Sequence, residues 1–375
     1  MTETGSSDLS LRAGAVLEVD LGAVVANWRT LTARHPSGPV AGVVKADAYG
    51  LGAAAVAPAL AAAGCRYFFV ATLDEALALR PLLPGRMPPD GMLAVLGGPL
   101  PGTEAEYLAH DVTPVLNSLA EIDAWSAAAR RASRVLPALL HVDTGMARLG
   151  LDPPALAALR DDPGRLGGIA LRYVMTHLVS AELLADPLNA AQAQRFAAAC
   201  ALLPPAPRSF ANSSGIFLGP AFGSDLARPG AALWGINPTP DQLNPMRPVV
   251  RLRARVLALR NIGPGESVGY NATFTATRPS RIATAAIGYA DGWRRALSNV
   301  GTAVFDGVPV PLVGRVSMDL TTFDATDHPG IVPGTWLDLI GPGQDVDTVA
   351  AAAGTNGYDV LTALGPRVQR VYRPA

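Results

Sequence analysis

The chain has 375 residues with 30 Lys and Arg against 31 Asp and Glu, a formal charge of −1, and only 16% of its residues are charged, against about 25% in ordinary soluble proteins. With no basic run or Lys/Arg-rich helix, nucleic acid and anionic membrane surfaces are excluded as principal partners, and small molecules become the default. The 38 glycines and 33 prolines are spread through apolar segments, so the chain reads as globular, long enough for one large domain and a smaller one.

Residues 1–14 read as a flexible lead. Glu3 and Asp8 stand among Ser, Thr and Gly, without the basic start and apolar run of a signal peptide. Val16–Asp20 is a predicted strand that lies N-terminal to everything else and suits pairing with a later β region. From Asp20 to Trp234 short β-rich runs alternate with Ala/Leu-rich stretches of helical length. Strands are predicted at 41–44, 67–71, 93–96, 112–115, 136–142, 171–175, 208–211 and 231–234, with helices such as 73–82 and 189–203 between them. Eight strands in this alternation predict a closed parallel barrel. An open doubly wound sheet would carry a Gly-rich turn after its first strand, where this chain has Val43-Val44-Lys45.

The apolar run Ala53–Ala63 is broken by Pro58 and falls short of the roughly 20 residues of a membrane span. Cys65 and Cys200 are far apart and share no metal-like spacing, which fits a reducing cytoplasm. His35, His110 and His328 fall in loop-like polar contexts without ligand spacing, so no catalytic metal is predicted. After Pro240 the texture becomes Val/Arg/Thr alternation, as in residues 249–256, and Asp306-Gly307 supplies a tight hairpin turn between β-formers. The expected fold is therefore α/β: a (β/α)8 TIM-like barrel over residues 15–240, followed by a C-terminal all-β domain over 241–375.

Lys45 directly follows an apolar strand, at the rim where barrel enzymes keep their sites. A rim lysine with a lowered pKa can form a Schiff base with an aldehyde cofactor or act as a general base. Other strand ends add Arg148, His177, Asn212-Ser213 and Arg228-Pro229-Gly230 to the same rim, while Asp47 reads as a cap for the following helix.

The run Val44-Lys45-Ala46-Asp47-Ala48-Tyr49-Gly50 closely resembles the lysine signature of the alanine racemase family. The resemblance extends in order through Asp143-Thr144-Gly145-Met146, Arg148-Leu149-Gly150, Ala211-Asn212-Ser213, Arg228-Pro229-Gly230, Gly288-Tyr289-Ala290-Asp291-Gly292, Val313–Asp319 and Gly357-Tyr358-Asp359. It implies that Lys45 holds pyridoxal 5′-phosphate and acts as one catalytic base, with Tyr270 as the second base on the opposite face. A tyrosine, with its ordinary pKa of about 10, would need cationic neighbours, and His177 with Arg228 would supply them. Arg228 would face the pyridine nitrogen. Tyr49, Leu96, His177, Asn212, Ser213, Gly230, Ala231 and Tyr358 would complete the cofactor site, while Arg148, Tyr289, Met318 and Asp319 would serve the substrate.

The resemblance further implies a cytoplasmic homodimer in which the β domain of one subunit completes the barrel site of the other. Such an enzyme would interconvert L- and D-alanine and supply D-alanine for peptidoglycan. A racemase of broader specificity, such as one for serine, uses the same site. A decarboxylase would want an acidic residue where Arg228 stands, and a pyridoxal-phosphate homeostasis protein would lack the β domain. Three departures from the family pattern stand out. His141 occupies the place of a carbamylated lysine that orients the arginine equivalent to Arg148. Ser209 replaces a histidine, which is expected to weaken support of Arg228, and Trp234 replaces a tyrosine.

Overall fold

The computed structural model describes residues 12–83 and 91–375, so residues 1–11 of the expected flexible lead lie outside the described residues. Strand β1 (Ala15–Asp20) leads into helix α1 (Leu21–Arg34), whose N-cap Asp20 accepts a hydrogen bond from Ala23 N at 2.8 Å. There follow seven parallel strands in simple chain order: β2 (Gly42–Val43), β3 (Tyr67–Val70), β4 (Met92–Val95), β5 (Thr113–Leu116), β6 (Leu136–His141), β7 (Ile169–Met175) and β8 (Arg208–Ser209). Alternation along each strand sorts the side chains. Val43, Phe69, Ala94, Val115, Leu139 and Met175 fill the interior. Their neighbours Val44, Phe68, Leu93, Val95 and Leu140 belong to the larger apolar cluster outside.

The eighth stave is not the predicted one. Residues 231–234 form a 3-10 turn, Ala231–Trp234, although their apolar run had read as a strand. The sheet closes instead through residues 226–229, where Ala41 N donates to Ala227 O at 2.9 Å and Val43 N to Pro229 O at 3.1 Å. On the other side Arg228 N donates to Ala211 O at 2.8 Å. This stave, Leu226-Ala227-Arg228-Pro229, puts an arginine and a proline where β-formers were sought. Among the surrounding helices are α2 (Ala53–Ala62), α3 (Leu73–Leu79) and α4 (Pro187–Ala201).

The second sheet is built on β9 (Val250–Ile262). Beyond it come the short hairpin of β10 (Ser267–Val268) with β11 (Phe274–Thr275), then β12 (Ser280–Ala285), β13 (Thr302–Phe305), β14 (Val308–Pro311), β15 (Thr321–Asp324), β16 (Trp336–Ile340), helix α5 (Gly357–Ala363) and β17 (Gln369–Arg373). The β13–β14 hairpin turns on Asp306 (φ 51°) and Gly307 (φ 80°), as the Asp-Gly pair predicts. Strand β1 lies between β9 and β17, so the start and the end of the described chain meet in this sheet. Buried Glu18 of β1 ties the three strands together by pairing with Arg253 and Arg373. Among the described residues no helix is long and apolar enough to cross a membrane.

Candidate active site

Lys45 begins a turn of unusual hand. Ala46, Asp47, Ala48 and Tyr49 all have φ between 51° and 58°, and Gly50 follows at 81°. Each non-glycine residue in this region costs roughly 1–2 kcal/mol, so the turn persists only because its surroundings hold it. Within it Ala48 N donates to Val44 O at 2.9 Å and Gly50 N to Ala46 O at 2.8 Å. Glu75, at the start of α3, accepts from Ala46 N at 2.6 Å and from Ala71 N at 2.7 Å. Asp47 accepts from Ala53 N at 2.7 Å where α2 begins, which is the predicted capping role. Burial, then the Arg148 charge, lowers the Lys45 pKa against an opposing pull from Glu75, which favours the free amine a nucleophile or base needs.

Across the rim, Arg228 is a buried cation with no carboxylate partner among the described residues. Its guanidinium donates to Thr176 O at 2.5 Å and to the Ser209 hydroxyl, which in turn donates to Leu226 O at 2.7 Å. Ser209 therefore supports Arg228 directly, at the position where the family pattern has a histidine. Burial draws the Arg228 pKa down to about 10, and the group stays cationic at neutrality. Burial and then the charges of Arg228, Arg148 and Lys45 push the His177 pKa down to about 3, so it is neutral and is not the cationic neighbour of Tyr270 that the resemblance implied. Gln192, fully buried on α4, ties these rim segments together. It donates to His177 O and to the Thr144 hydroxyl, both at 3.0 Å, and accepts from Val179 N at 2.9 Å. An Ala-rich helix gave no sign of this role.

His141 is buried, and its Nδ1 lies 2.8 Å from Asn117 Oδ1. Asn117 Nδ2 is committed to Leu96 O at 3.2 Å and Val115 O at 3.0 Å, so Oδ1 accepts and His141 Nδ1 donates. Burial and the Arg228 charge lower the His141 pKa to about 4, so it is a neutral group and brings no negative charge to Arg148. Arg148 itself is exposed, on a loop that Asp143 shapes by accepting from Gly145 N and Met146 N at 2.9 Å and Ala147 N at 3.0 Å.

A native histidine at about 4 and an unfolded one at about 6.5 mean that the unfolded chain binds more protons between those values. His141 thus contributes stability above pH 6.5 that is lost as pH falls toward 4. At most about 3 kcal/mol is involved. His141→Gln is expected to flatten the melting temperature against pH over this window, as thermal denaturation at a series of pH values would show. His35, expected in a polar loop, is likewise buried, its Nε2 2.8 Å from Ser224 O, and its pKa is lowered by burial.

Beside Lys45 a polar cradle forms from distant segments. Ser213 Oγ accepts from Gly230 N at 3.0 Å and Ala232 N at 3.2 Å, on either side of Ala231, which leaves its own O–H to donate. A Cβ on Gly230 would stand 2.3 Å from the Tyr49 hydroxyl, so only glycine admits that approach. Tyr49 packs on Trp234 with ring centroids 5.7 Å apart, and its pKa is raised to about 12 by burial and then by Tyr358. Tyr358, on α5 of the β region, is thereby placed beside Tyr49 of the same chain. Asn212 accepts from Gly215 N at 2.9 Å at the same loop, and Leu96 sits half-buried after β4.

Tyr270, Tyr289, Met318 and Asp319 form a second group. Tyr270 is 68% exposed and Tyr289 43%; both line a cleft of about 370 Å³ with Arg295, Val316 and Ser317, all from the β region. Asp319 pairs with Arg367 at 2.7 Å. No hydrogen bond or ion pair among the described residues joins this group to Lys45, His177 or Arg228 within one chain.

Comparison with known proteins completes the description. Residues 19–238 match the alanine racemase N-terminal domain and residues 249–372 the alanine racemase C-terminal domain. The alanine racemase of Acidiphilium cryptum is 58% identical over 357 residues, covering 95% of this chain and 98% of that one. A catabolic alanine racemase of Mesorhizobium japonicum is 48% identical, covering 99% and 96%. The crystal structure of alanine racemase from Bartonella henselae with covalently bound pyridoxal phosphate superposes with a TM-score of 0.92 at 42% identity, covering 96% of this chain and all of that one.

Proposed function

The chain belongs to the alanine racemase family, and we propose that it is a cytoplasmic racemase that interconverts L- and D-alanine with pyridoxal 5′-phosphate and so supplies D-alanine for peptidoglycan. The observation that carries this reading is the pairing, on one rim, of a lysine with a lowered pKa and a buried arginine that has no carboxylate partner among the described residues. A buried cation without an anion is costly, and an electron-rich ring nitrogen is a partner that offsets the cost without giving Arg228 an acid to share. The cradle fits a phosphate equally well: Tyr49 with its pKa near 12 is a neutral donor, and Ser213 and the Ala231 amide add donors beside it.

When bound, the cofactor supplies a conjugated ring that takes up the electron pair left when Cα loses its proton. Everything else falls to the chain. Lys45 would hold the cofactor covalently, and its freed amine would move a proton to or from one face of Cα. Tyr270 does the same on the other face. Arg228 cannot release a proton to the ring nitrogen, which limits how far charge spreads and disfavours stray chemistry. Arg148 and the Met318 amide orient the substrate side, Asp319 holds that loop through Arg367, and Tyr289 narrows the approach.

The exposure of Tyr270 and its neighbours supports a homodimer in which they reach the barrel rim of a second copy. Activity per subunit is then expected to fall on dilution in step with dissociation, which sedimentation and specific activity measured together would check. The reaction itself is tested by incubating cofactor-loaded protein with L-alanine in heavy water. Loss of the α-proton together with appearance of D-alanine is expected, and absence of both would overturn the assignment.

A further inference from the structure

Lys45 sits on a turn that its own barrel does not hold alone. At its far end the Gly50 carbonyl accepts from Arg370 Nε at 3.0 Å and Nη2 at 2.9 Å. Arg370 lies on β17, 320 residues later in the sequence. The same guanidinium donates to Leu364 O at 2.7 Å, Gly365 O at 2.6 Å and Val368 O at 2.9 Å, so among the described residues its hydrogen bonds go only to backbone carbonyls. Two of those carbonyls, Leu364 and Gly365, close helix α5, which carries Tyr358. The helix also rests on the turn, for a Cβ at Gly50 would lie 2.5 Å from Leu361 O. Arg370 thus joins the backbone below Lys45 and Tyr49 to the helix that bears Tyr358.

We infer that Arg370 is a positioning residue for the reaction: by gripping the Gly50 carbonyl it fixes the left-handed turn so that the Lys45 amine and the Tyr49 hydroxyl keep one separation, and it sets Tyr358 against them. The inference rests on the reading of Lys45 as the cofactor-binding lysine. The chemistry is that of a planar fork. Arginine can place two N–H groups on one carbonyl and others on carbonyls beside it, which a lysine ammonium on a flexible stem cannot reproduce. Glu75 holds the other end of the turn through Ala46 N, so loss of Arg370 leaves Lys45 attached but free to shift. A displacement on the order of 1 Å at a reacting group costs up to about 100-fold in rate.

The test uses the cofactor-loaded full-length protein and two variants, Arg370→Met and Arg370→Lys. For Arg370→Met, kcat is expected to fall roughly 10- to 100-fold with KM little changed. The visible circular dichroism of the bound cofactor should weaken, and cofactor should be lost faster on dialysis. Arg370→Lys should recover part of each. A folded Arg370→Met protein with the parent kcat, dichroism and cofactor retention overturns the inference. Should Arg370→Met not fold, Arg370→Lys decides alone, and parent values in all three measurements overturn it. Lys45→Ala in the same assays separates the two readings: if it racemises normally, the Lys45 reading fails, whereas an inactive Lys45→Ala beside a parent-like Arg370→Met sinks only the role of Arg370.

Discussion

Lys45→Ala is expected to lower racemisation by at least roughly 10³-fold and to leave the cofactor unattached after borohydride reduction, as mass spectrometry of the denatured chain would show. The variant should still fold. Lys45 is only half-buried, and the turn around it is held by backbone hydrogen bonds from Ala48 N and Gly50 N to the Val44 and Ala46 carbonyls and by Glu75, none of which uses the lysine side chain. A second consequence is electrostatic. The Lys45 charge is, with those of Arg228 and Arg148, one that depresses His177, so its removal raises the His177 pKa. Imidazole resonances titrated by NMR in the cofactor-free protein would register that rise, which separates the loss of a charge from the loss of a fold. An unchanged rate in Lys45→Ala would remove the foundation of the proposed function.

The strand-and-helix alternation made the barrel legible because buried parallel strands leave short apolar runs, and each run ends where a rim residue begins. Lys45, Arg148 and His177 were found for that reason. Arg228 was placed on the same rim, just before the last predicted strand, yet its stave was misplaced. The apolar run at 231–234 imitates a strand, while the segment that closes the barrel holds an arginine and a proline. Local composition has no means of showing that a strand's two ladder partners are already waiting at Ala41 and Ala211. Glu75 did leave a signal, since Thr72-Leu73-Asp74-Glu75 is a capping box; its second duty at Ala46 N depends on the left-handed turn and is invisible in the sequence. The contact of Arg370 with Gly50 and the hub at Gln192 are tertiary facts, made by polar side chains on backbone carbonyls that any residue could present.

Tyr270→Phe carries the second large effect, and it separates the two faces of the reaction. If Lys45 and Tyr270 serve opposite faces of Cα, the variant keeps a base for one enantiomer and lacks it for the other. Racemisation is expected to fall by roughly 10²- to 10⁴-fold, the usual worth of a positioned general acid or base. In heavy water one enantiomer of alanine should still exchange its α-proton with retention of configuration, while exchange of the other is lost. Cofactor binding should not change, because the phenolic oxygen belongs to an exposed β-domain tyrosine outside the cradle of Tyr49, Ser213 and Gly230. The same exposure supports a partner requirement: mixing Tyr270→Phe chains with Lys45→Ala chains should restore about a quarter to a half of the parent activity in a shared-site dimer, depending on how the subunits redistribute. One site in each mixed dimer would then hold both native residues. Equal loss of exchange for both enantiomers would show that Tyr270 acts on the site as a whole, and would move the second base to another residue.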